Sequence, residues 1–207
     1  MTPSITDIHL EKILDKIKLQ KSSGVYIDVK PELNAKVIEC IPNVKNKIKI
    51  DGGKEVLGWG IWKTDILIEA EFHSVWQSPS GILKDITPKQ ISVEKILFFP
   101  DTRLIYDGSQ KDNIRCNIST NRLIDDFILL EEALFRILNK GTRKYEHGKV
   151  TLNKEDSELY KTIKFTRNGI YNMYKQGLNR NSDCFCNSER KYKHCHGKKL
   201  SKALNKI

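Results

Sequence analysis

The C-terminal part of the chain contains a tight cluster of three cysteines and one histidine. Cys184 and Cys186 are separated by one residue, and after eight more residues Cys195 and His196 follow as neighbours. Three thiolates and one imidazole form the ligand set of a closed, tetrahedral structural zinc site. Because the four side chains lie so close in sequence, closing the loop between them costs little chain entropy. The spacing predicts one Zn²⁺ per chain, held by these four residues.

The alternative for such cysteines is a disulfide pair in an exported protein. The N-terminus, Met1-Thr2-Pro3-Ser4, carries no basic and apolar leader, and the total of five cysteines is odd. No apolar run approaches the roughly 20 residues that are needed to span a bilayer. We therefore expect a cytoplasmic protein with no membrane partner, in which a reducing environment favours zinc ligation over a disulfide.

Residues 183–197 resemble the SEC-C motif, a small zinc knuckle first noticed at the end of the bacterial preprotein translocase motor. The resemblance implies the same four ligands, with the Lys191-Tyr192-Lys193 run shaping the hairpin. The family usually has Gly where Asn187 and Glu189 stand. Asn tolerates a positive φ better than Glu does, so we expect ligation to survive and the turn to be the part open to change. The resemblance covers about a tenth of the chain and implies no particular activity.

The composition is that of a globular chain with a basic end. Hydrophobic residues make up 39% of the 207 residues, and the net charge is +10. Residues 180–207 hold eight Lys/Arg against Asp183 and Glu189, so that this short segment carries +6. We expect a main domain at 1–178 and a knuckle with a basic tail at 179–207. Such a tail can contact nucleic acid or an acidic protein surface, but no aromatic ladder accompanies the lysines, which favours a solvated tail.

Hydrophobic periodicity predicts an α+β fold. Apolar residues at helical spacing predict a first helix within 5–17, and a further helix follows Pro42. Between helices, alternating runs bounded by Pro and Gly predict the strands of a central antiparallel sheet. The predicted strands are 25–29, 55–62, 66–77, 82–86 and 93–99, and the predicted final helices are 122–139 and 154–176.

Cys40 is a candidate nucleophile because of its position relative to Pro42. Proline suits the first turn of a helix, so the helix is predicted to begin at Ile41 or Pro42 with Cys40 at its N-terminal end. There the helix dipole stabilises a thiolate, and backbone N–H groups can hold an oxyanion. The alternative is a small buried hydrophobe, the usual fate of a free cysteine. We assign that fate to Cys116, which lies in an alternating apolar run.

His73 and Asp85 are predicted to lie together on adjacent strands. Pro79-Ser80-Gly81 fits a three-residue hairpin loop with Gly81 in the left-handed conformation. That register pairs Ser78 with Ile82, which brings Asp85 diagonally beside His73 on one face of the sheet. An aspartate so placed can hold the imidazole in one tautomer and stabilise its cation. The alternative is a histidine and an aspartate that merely share a solvated face.

The order Cys40, His73, Asp85 resembles that of papain-like and transglutaminase-like enzymes, and residues 71–88 resemble the transglutaminase-type His strand, turn and Asp-x-Thr-Pro strand. The resemblance covers about 34–88 and implies Cys40 as nucleophile, His73 as general base and acid, and Asp85 as the orienting group. The residues around Cys40 lack the Gly-x-Cys-Trp-type context common in those enzymes.

Two functions follow from these features. The first is a thiol acyl-transfer enzyme (peptidase, deamidase or transglutaminase-like) that acts on a protein substrate, with the zinc knuckle docking a partner. The second is a non-catalytic adaptor that binds protein or nucleic acid through the knuckle and basic tail.

Overall fold

The structure of the protein, a computed structural model, describes residues 1–146, 150–198 and 200–204. Contacts divide the chain into two compact units, each with its own hydrophobic core. The first unit comprises Met1–Thr64, Ile68–Asp107 and Asn113–Arg115. The second comprises Asp65–Leu67, Gly108–Asp112 and the chain from Cys116 onward.

The described helices and strands follow the predicted order, with the addition of a short strand, Ile114–Asn117, and a short helix, Leu200–Leu204, that the sequence did not predict. In chain order they are α1 (Leu10–Ile17), β1 (Val25–Val29), α2 (Cys40–Asp51), β2 (Lys54–Lys63), β3 (Leu67–Gln77), β4 (Leu83–Asp85), β5 (Lys95–Pro100), β6 (Ile114–Asn117), α3 (Leu123–Leu138), α4 (Lys154–Lys175) and α5 (Leu200–Leu204). The predicted α+β class is confirmed. None of these helices has the length and apolar character that crossing a membrane requires.

Five of the strands close into a barrel. The strand order is β2-β5-β1-β4-β3, β2 also pairs with β3, and β6 lies beside β3. The sheet is mostly antiparallel, as predicted, but β1 and β4 run parallel, with Val29 opposite Asp85. Neither this parallel pair nor the closure was predicted, because both depend on pairing between strands distant in sequence. A barrel has no exposed edge on its closed strands.

The turn between β3 and β4 has the predicted register. Trp76 lies opposite Lys84 and Gln77 opposite Leu83, and the Ser78 N–H donates to the Ile82 carbonyl at 2.9 Å. Gly81 adopts a φ of 87°, the left-handed conformation that a three-residue loop requires. The predicted alignment of Asp85 with the His73 region of β3 is confirmed.

The barrel core fixes which face of β3 is internal. Buried apolar side chains from β1, β3 and β5 pack together; they are Ile27, Val29, Val75, Ile96 and Phe98. His73 is two residues from Val75, so it lies on the same face of β3. On the opposite face of β3, Trp76 packs against Val44, and this contact holds α2 against the outside of the barrel.

Two glycines of β2 differ in the space around them, which gives a test of the barrel. A Cβ atom at position 58 would lie 2.3 Å from the Phe99 carbonyl oxygen, whereas one at position 60 would have its nearest neighbour at 3.7 Å. We expect Gly58→Ala to lower the free energy of unfolding by about 1–3 kcal/mol, because β2 and β5 must separate to admit the methyl group. Gly60→Ala is the matched control and should change it by less than about 1 kcal/mol. Urea denaturation of both variants checks this, and equal effects would contradict the strand pairing.

The second unit is built on α3 and α4. Its core contains the apolar faces of both helices, and it also contains Cys184, Tyr192, Leu200 and Leu204. The knuckle segment therefore shares a core with α3 and α4. The boundary predicted between 178 and 179 does not coincide with the contact-based division, and independent folding of 179–207 stays a prediction.

Candidate catalytic cluster and candidate metal centre

His73 and Asp85 form a buried pair in the first unit. His73 Nε2 lies 3.0 Å from Asp85 Oδ2, and the side chains are 3% and 0% exposed. The Phe98 ring meets the imidazole edge-on, with the ring centroids 6.5 Å apart. A buried carboxylate with this geometry accepts the Nε2 proton, which leaves Nδ1 as the nitrogen available to other groups.

Burial and charge act in opposite directions on the two groups. Burial by itself lowers the pKa of His73, but the charge and hydrogen bond of Asp85 outweigh it and raise that pKa to about 10. Burial raises the pKa of Asp85, but the His73 charge and hydrogen bond bring it down to about 2. The contribution of the raised His73 pKa to the free energy of unfolding is complete below pH 6.5 and is lost as the pH rises towards 10. The contribution of the lowered Asp85 pKa is complete above the ordinary pKa of an aspartate and is lost as the pH falls towards 2.

Asp85 has two further partners. Its Oδ1 accepts the Thr87 N–H at 3.0 Å. Lys89 Nζ lies 2.7 Å from Oδ2 and 3.2 Å from His73 Nε2, and its side chain is only 11% exposed. Nε2 carries the proton that it donates to Asp85, so the imidazolium and the Lys89 ammonium are two cations in close contact. Their repulsion is offset because both bind the same oxygen, Asp85 Oδ2.

Cys40 is the first residue of α2 and lies beside His73. The thiol is half-buried and is close enough to the imidazole to contribute to the raised pKa of His73. The preceding residue, Glu39, makes no side-chain cap. Pro42 has no N–H and the Asn43 N–H donates to the Glu39 carbonyl at 3.0 Å, so Cys40 and Ile41 supply the N–H groups of the first turn that are not used within the helix. Ile38 has a φ of 70°, a strained conformation for a β-branched residue. The three residues predicted for a thiol site thus lie together, while their role in catalysis stays a prediction.

A second polar side chain ties the Cys40 loop to Asp85. The buried Asn43 side chain accepts from the Lys36 N–H at 3.0 Å and donates to the Lys36 carbonyl at 2.8 Å. The same amide donates to the Thr87 hydroxyl at 3.3 Å. Thr87 also contacts Asp85, so the chain preceding Cys40 and the chain following Asp85 are held by one network.

Sequence reasoning missed Lys89, Asn43 and Thr87. No spacing rule predicts that Lys89 folds back onto Asp85, although the two residues are four apart. The Asp-x-Thr-Pro segment was noticed only as part of a resemblance. The one available signal for Asn43 was its position in the first turn of the predicted helix, where a polar side chain often bonds to backbone.

The Cys/His cluster of the second unit has the dimensions of a tetrahedral site. The four ligand atoms all lie within 4.8 Å of one another. His196 Nδ1 is 3.2 Å from Cys184 Sγ and 3.5 Å from Cys195 Sγ, and the sulfurs of Cys186 and Cys195 are 3.6 Å apart. For bonds of about 2.3 Å to sulfur and about 2.0 Å to nitrogen, a tetrahedron places its ligands about 3.5–3.8 Å apart. The donor set and its spacing fit Zn²⁺.

Side chains around the sulfurs add hydrogen bonds to the cluster. The Ser188 hydroxyl lies 3.3 Å from both Cys186 Sγ and Cys195 Sγ, and Arg190 Nη2 is 3.6 Å from the Cys195 sulfur. Such outer contacts orient thiolate ligands and lower their charge density. All five cysteines lie within the described residues, and none of them forms a disulfide.

The cluster is anchored to the helices of its unit. Phe185 packs so closely on α4 that a Cβ atom at Gly169 would lie 2.5 Å from its ring, and its other side contacts the His196 ring at 4.6 Å between centroids. Arg180 forms an ion pair with the buried Asp126 of α3 and donates to the Gly197 carbonyl at 3.1 Å. A change at the metal ligands is therefore transmitted directly to the α3/α4 core.

Residues 180–198 match the family model of the SEC-C motif. This confirms the resemblance seen in the sequence and identifies a Cys₃His cluster of the zinc-binding type. No curated protein and no solved structure matches the chain. The resemblance of the first unit to papain-like or transglutaminase-like enzymes is not supported by these comparisons and stays a hypothesis.

The SEC-C turn retains the conformation that glycine would provide. Asn187 has a φ of 57° and Glu189 a φ of 59°, both left-handed. Both positions thus have a backbone conformation that glycine adopts without strain, and the strain falls mainly on Glu189.

Replacing Glu189 by glycine should relieve this strain. We expect Glu189→Gly to raise the free energy of unfolding by about 1 kcal/mol, because a left-handed conformation strains any residue with a Cβ atom. Glu189→Ala keeps that atom while removing the carboxylate, so it should give little of the gain. Denaturation monitored by circular dichroism measures both variants. An equal gain in both would assign the effect to the lost charge.

Proposed function

We propose that the first unit is a cysteine-dependent acyl-transfer enzyme and that the SEC-C segment holds one structural zinc ion. The observation that carries the enzyme proposal is the buried hydrogen bond between His73 and Asp85, with the Cys40 thiol beside the imidazole at the start of α2. In this proposal Cys40 is the nucleophile, His73 the acid and base, and Asp85 the orienting group. Their chain order, which resembles that of papain-like and transglutaminase-like enzymes, agrees with these roles.

The resting state follows from the partners of the imidazole. Asp85 occupies Nε2, so Nδ1 is the nitrogen that serves the Cys40 thiol. A His73 that is cationic at neutral pH stabilises a neighbouring thiolate, as does the N-terminus of α2. The site is thereby suited to nucleophilic attack without a separate step of deprotonation.

The acylation step balances within these residues. The Cys40 thiolate adds to the carbonyl carbon of a peptide, isopeptide or glutaminyl group, and the oxyanion is held by the backbone N–H groups of Cys40 and Ile41 at the start of α2. His73 Nδ1–H donates its proton to the leaving nitrogen as the C–N bond breaks. The products of this step are an amine or ammonia, a thioester on Cys40 and a neutral imidazole.

Deacylation reverses the role of His73. The neutral Nδ1 takes a proton from water or from an acceptor amine, whose oxygen or nitrogen attacks the thioester carbonyl. The C–S bond breaks, which restores the thiolate and imidazolium. Water gives a carboxylic acid, by hydrolysis or deamidation, and an amine gives a new amide.

Selective alkylation tests the thiol site. We expect iodoacetamide to label Cys40 at pH 7 about tenfold faster than a model thiol, because a model thiol is only a few per cent ionised there. Cys116 is the internal control, since it is buried. His73→Gln should remove most of the advantage, and Asp85→Asn should remove less. Peptide mass spectrometry measures the rates after circular dichroism confirms folding. A Cys40 rate equal to the model thiol, unchanged in His73→Gln, would rule out the enzyme proposal.

Metal content and chelation test the zinc proposal. We expect one zinc per chain, and we expect chelation to reduce the helical signal at 222 nm, because Cys184 and Tyr192 belong to the α3/α4 core. The three tryptophans, Trp59, Trp62 and Trp76, all lie in the first unit, so their fluorescence reports that unit separately. Helical signal that persists after complete metal removal would favour the independent tail predicted from the sequence. Purified protein without stoichiometric zinc would contradict the site.

The second proposed function is an adaptor that binds acidic protein or nucleic acid. It is favoured by the charge of +6 on residues 180–207. Lys199 and Lys206 of this basic tail lie outside the described residues, as does the Lys202 side chain. The adaptor becomes the better account if Cys40 shows no enhanced reactivity.

A further inference from the structure

Lys89 is a nearly buried cation that the acyl-transfer mechanism does not use. Its ammonium lies 2.7 Å from Asp85 Oδ2, and its side chain is 11% exposed. The Trp62 ring centroid lies 5.8 Å from the same nitrogen, a cation–π contact. A lysine is seldom withdrawn from water to this degree unless its charge is matched.

We propose that Lys89 is a positioning residue that balances the charge of the Cys40–His73–Asp85 cluster and so sets the pH at which Cys40 becomes a thiolate. The inference rests on the proposed function, because it assigns Cys40 a working thiolate. Its basis is the position of the Lys89 ammonium on the oxygen that also receives the His73 proton.

The charges of the cluster explain the need for a second cation. A thiolate and a carboxylate together carry two negative charges, and the imidazolium supplies one positive charge. A cluster of these three would hold one uncompensated negative charge in a largely buried place, which is strongly unfavourable. With Lys89 the thiolate form is neutral, with two anions and two cations.

Removing the ammonium reverses this preference. Without Lys89, the neutral arrangement is a protonated Cys40 beside the His73–Asp85 ion pair, so the thiolate forms only at higher pH. The interaction of unit charges several ångströms apart at a partly buried site corresponds to about one to two pH units.

Several other ionisable groups lie near the cluster. Glu71, on the His73 face of β3, accepts a hydrogen bond from Trp62 Nε1, and Glu55 accepts one from the Ser74 hydroxyl. Burial, and then the Cys40 charge, raise the pKa of Tyr106 above its ordinary value, so this phenol stays neutral at neutral pH. Asp107 and Glu55, whose charges also raise the pKa of Tyr106, are anions. Lys45 and Lys36 are cations, but Lys45 lies over the Tyr106 ring, 5.5 Å from its centroid, and Lys36 pairs with Glu39. Lys89 is the cation that contacts the His73–Asp85 pair directly.

A purely structural role for Lys89 makes a different prediction. If the ammonium only held the loop after β4 onto Asp85, its loss would lower the free energy of unfolding without changing the pH dependence of Cys40 alkylation.

Four variants distinguish the two roles. Lys89→Met removes the charge and keeps the side-chain length, Lys89→Gln is a second neutral variant, and Lys89→Arg retains the charge. Lys84→Met is the matched control, because it removes a lysine of β4 that lies over the Trp76 ring and not on Asp85.

The experiment is a pH profile of Cys40 alkylation by iodoacetamide in the full chain, read by peptide mass spectrometry between pH 5 and pH 10. We expect Lys89→Met and Lys89→Gln to move the midpoint upward by about one to two units, with a rate at neutral pH at least about tenfold lower. Lys89→Arg and Lys84→Met should keep the wild-type midpoint. Thermal unfolding of each variant establishes that the reactivity is that of the folded protein.

The outcomes separate this inference from the proposed function. Suppose that wild-type Cys40 reacts faster than a model thiol and depends on His73, while both neutral Lys89 variants keep its midpoint. The charge-balancing role is then wrong and the enzyme proposal stands. If wild-type Cys40 shows no enhanced reactivity and no dependence on His73, the proposed function itself fails.

Discussion

The buried hydrogen bond between His73 and Asp85 is the interaction on which the arrangement of the first unit depends. Two ionised groups at this depth are tolerated because each compensates the charge of the other, with Lys89 as a second cation on Asp85, and removing either one would be strongly destabilising. The pair forms only when the β3–β4 turn keeps its register, because a slip of one residue would move His73 to the opposite face. It also requires the parallel pairing that seats Asp85 beside Val29 of β1.

The second unit shows the same dependence of a polar site on the apolar core around it. A segment as short as residues 180–198 cannot bury a core of its own, so the SEC-C hairpin uses that of α3 and α4. Tyr192 is fully buried there, and Phe185 fills the space that Gly169 leaves open. Local spacing places the ligands, but the helices hold the ligand hairpin in position.

The sequence predicted what is decided by nearby residues. Pro42 marked the first turn of α2, although the helix begins at Cys40 and not at the predicted Ile41 or Pro42. Pro79 and Gly81 set the hairpin register, and the cysteine spacing marked the metal ligands. It did not predict the closed barrel, because β1–β4 and β2–β5 pairing brings together segments that no local pattern relates. The first helix was placed too early: Ile8 fitted its apolar spacing, yet this side chain is 85% exposed and α1 begins at Leu10.

The difference between local patterns and long-range contacts also explains why the sequence predicted the three residues of the candidate triad but not the side chains that surround them. A nucleophile, a base and an orienting acid are recognised by residue type, but a buried carboxylate also needs donors for its remaining lone pairs. In Asp85 these come from the Thr87 N–H and the Lys89 ammonium. Asn43 then links Thr87 to the loop before Cys40. Because such partners are chosen by three-dimensional position, the charge state of the site is a property of the fold, and the three residues alone do not determine it.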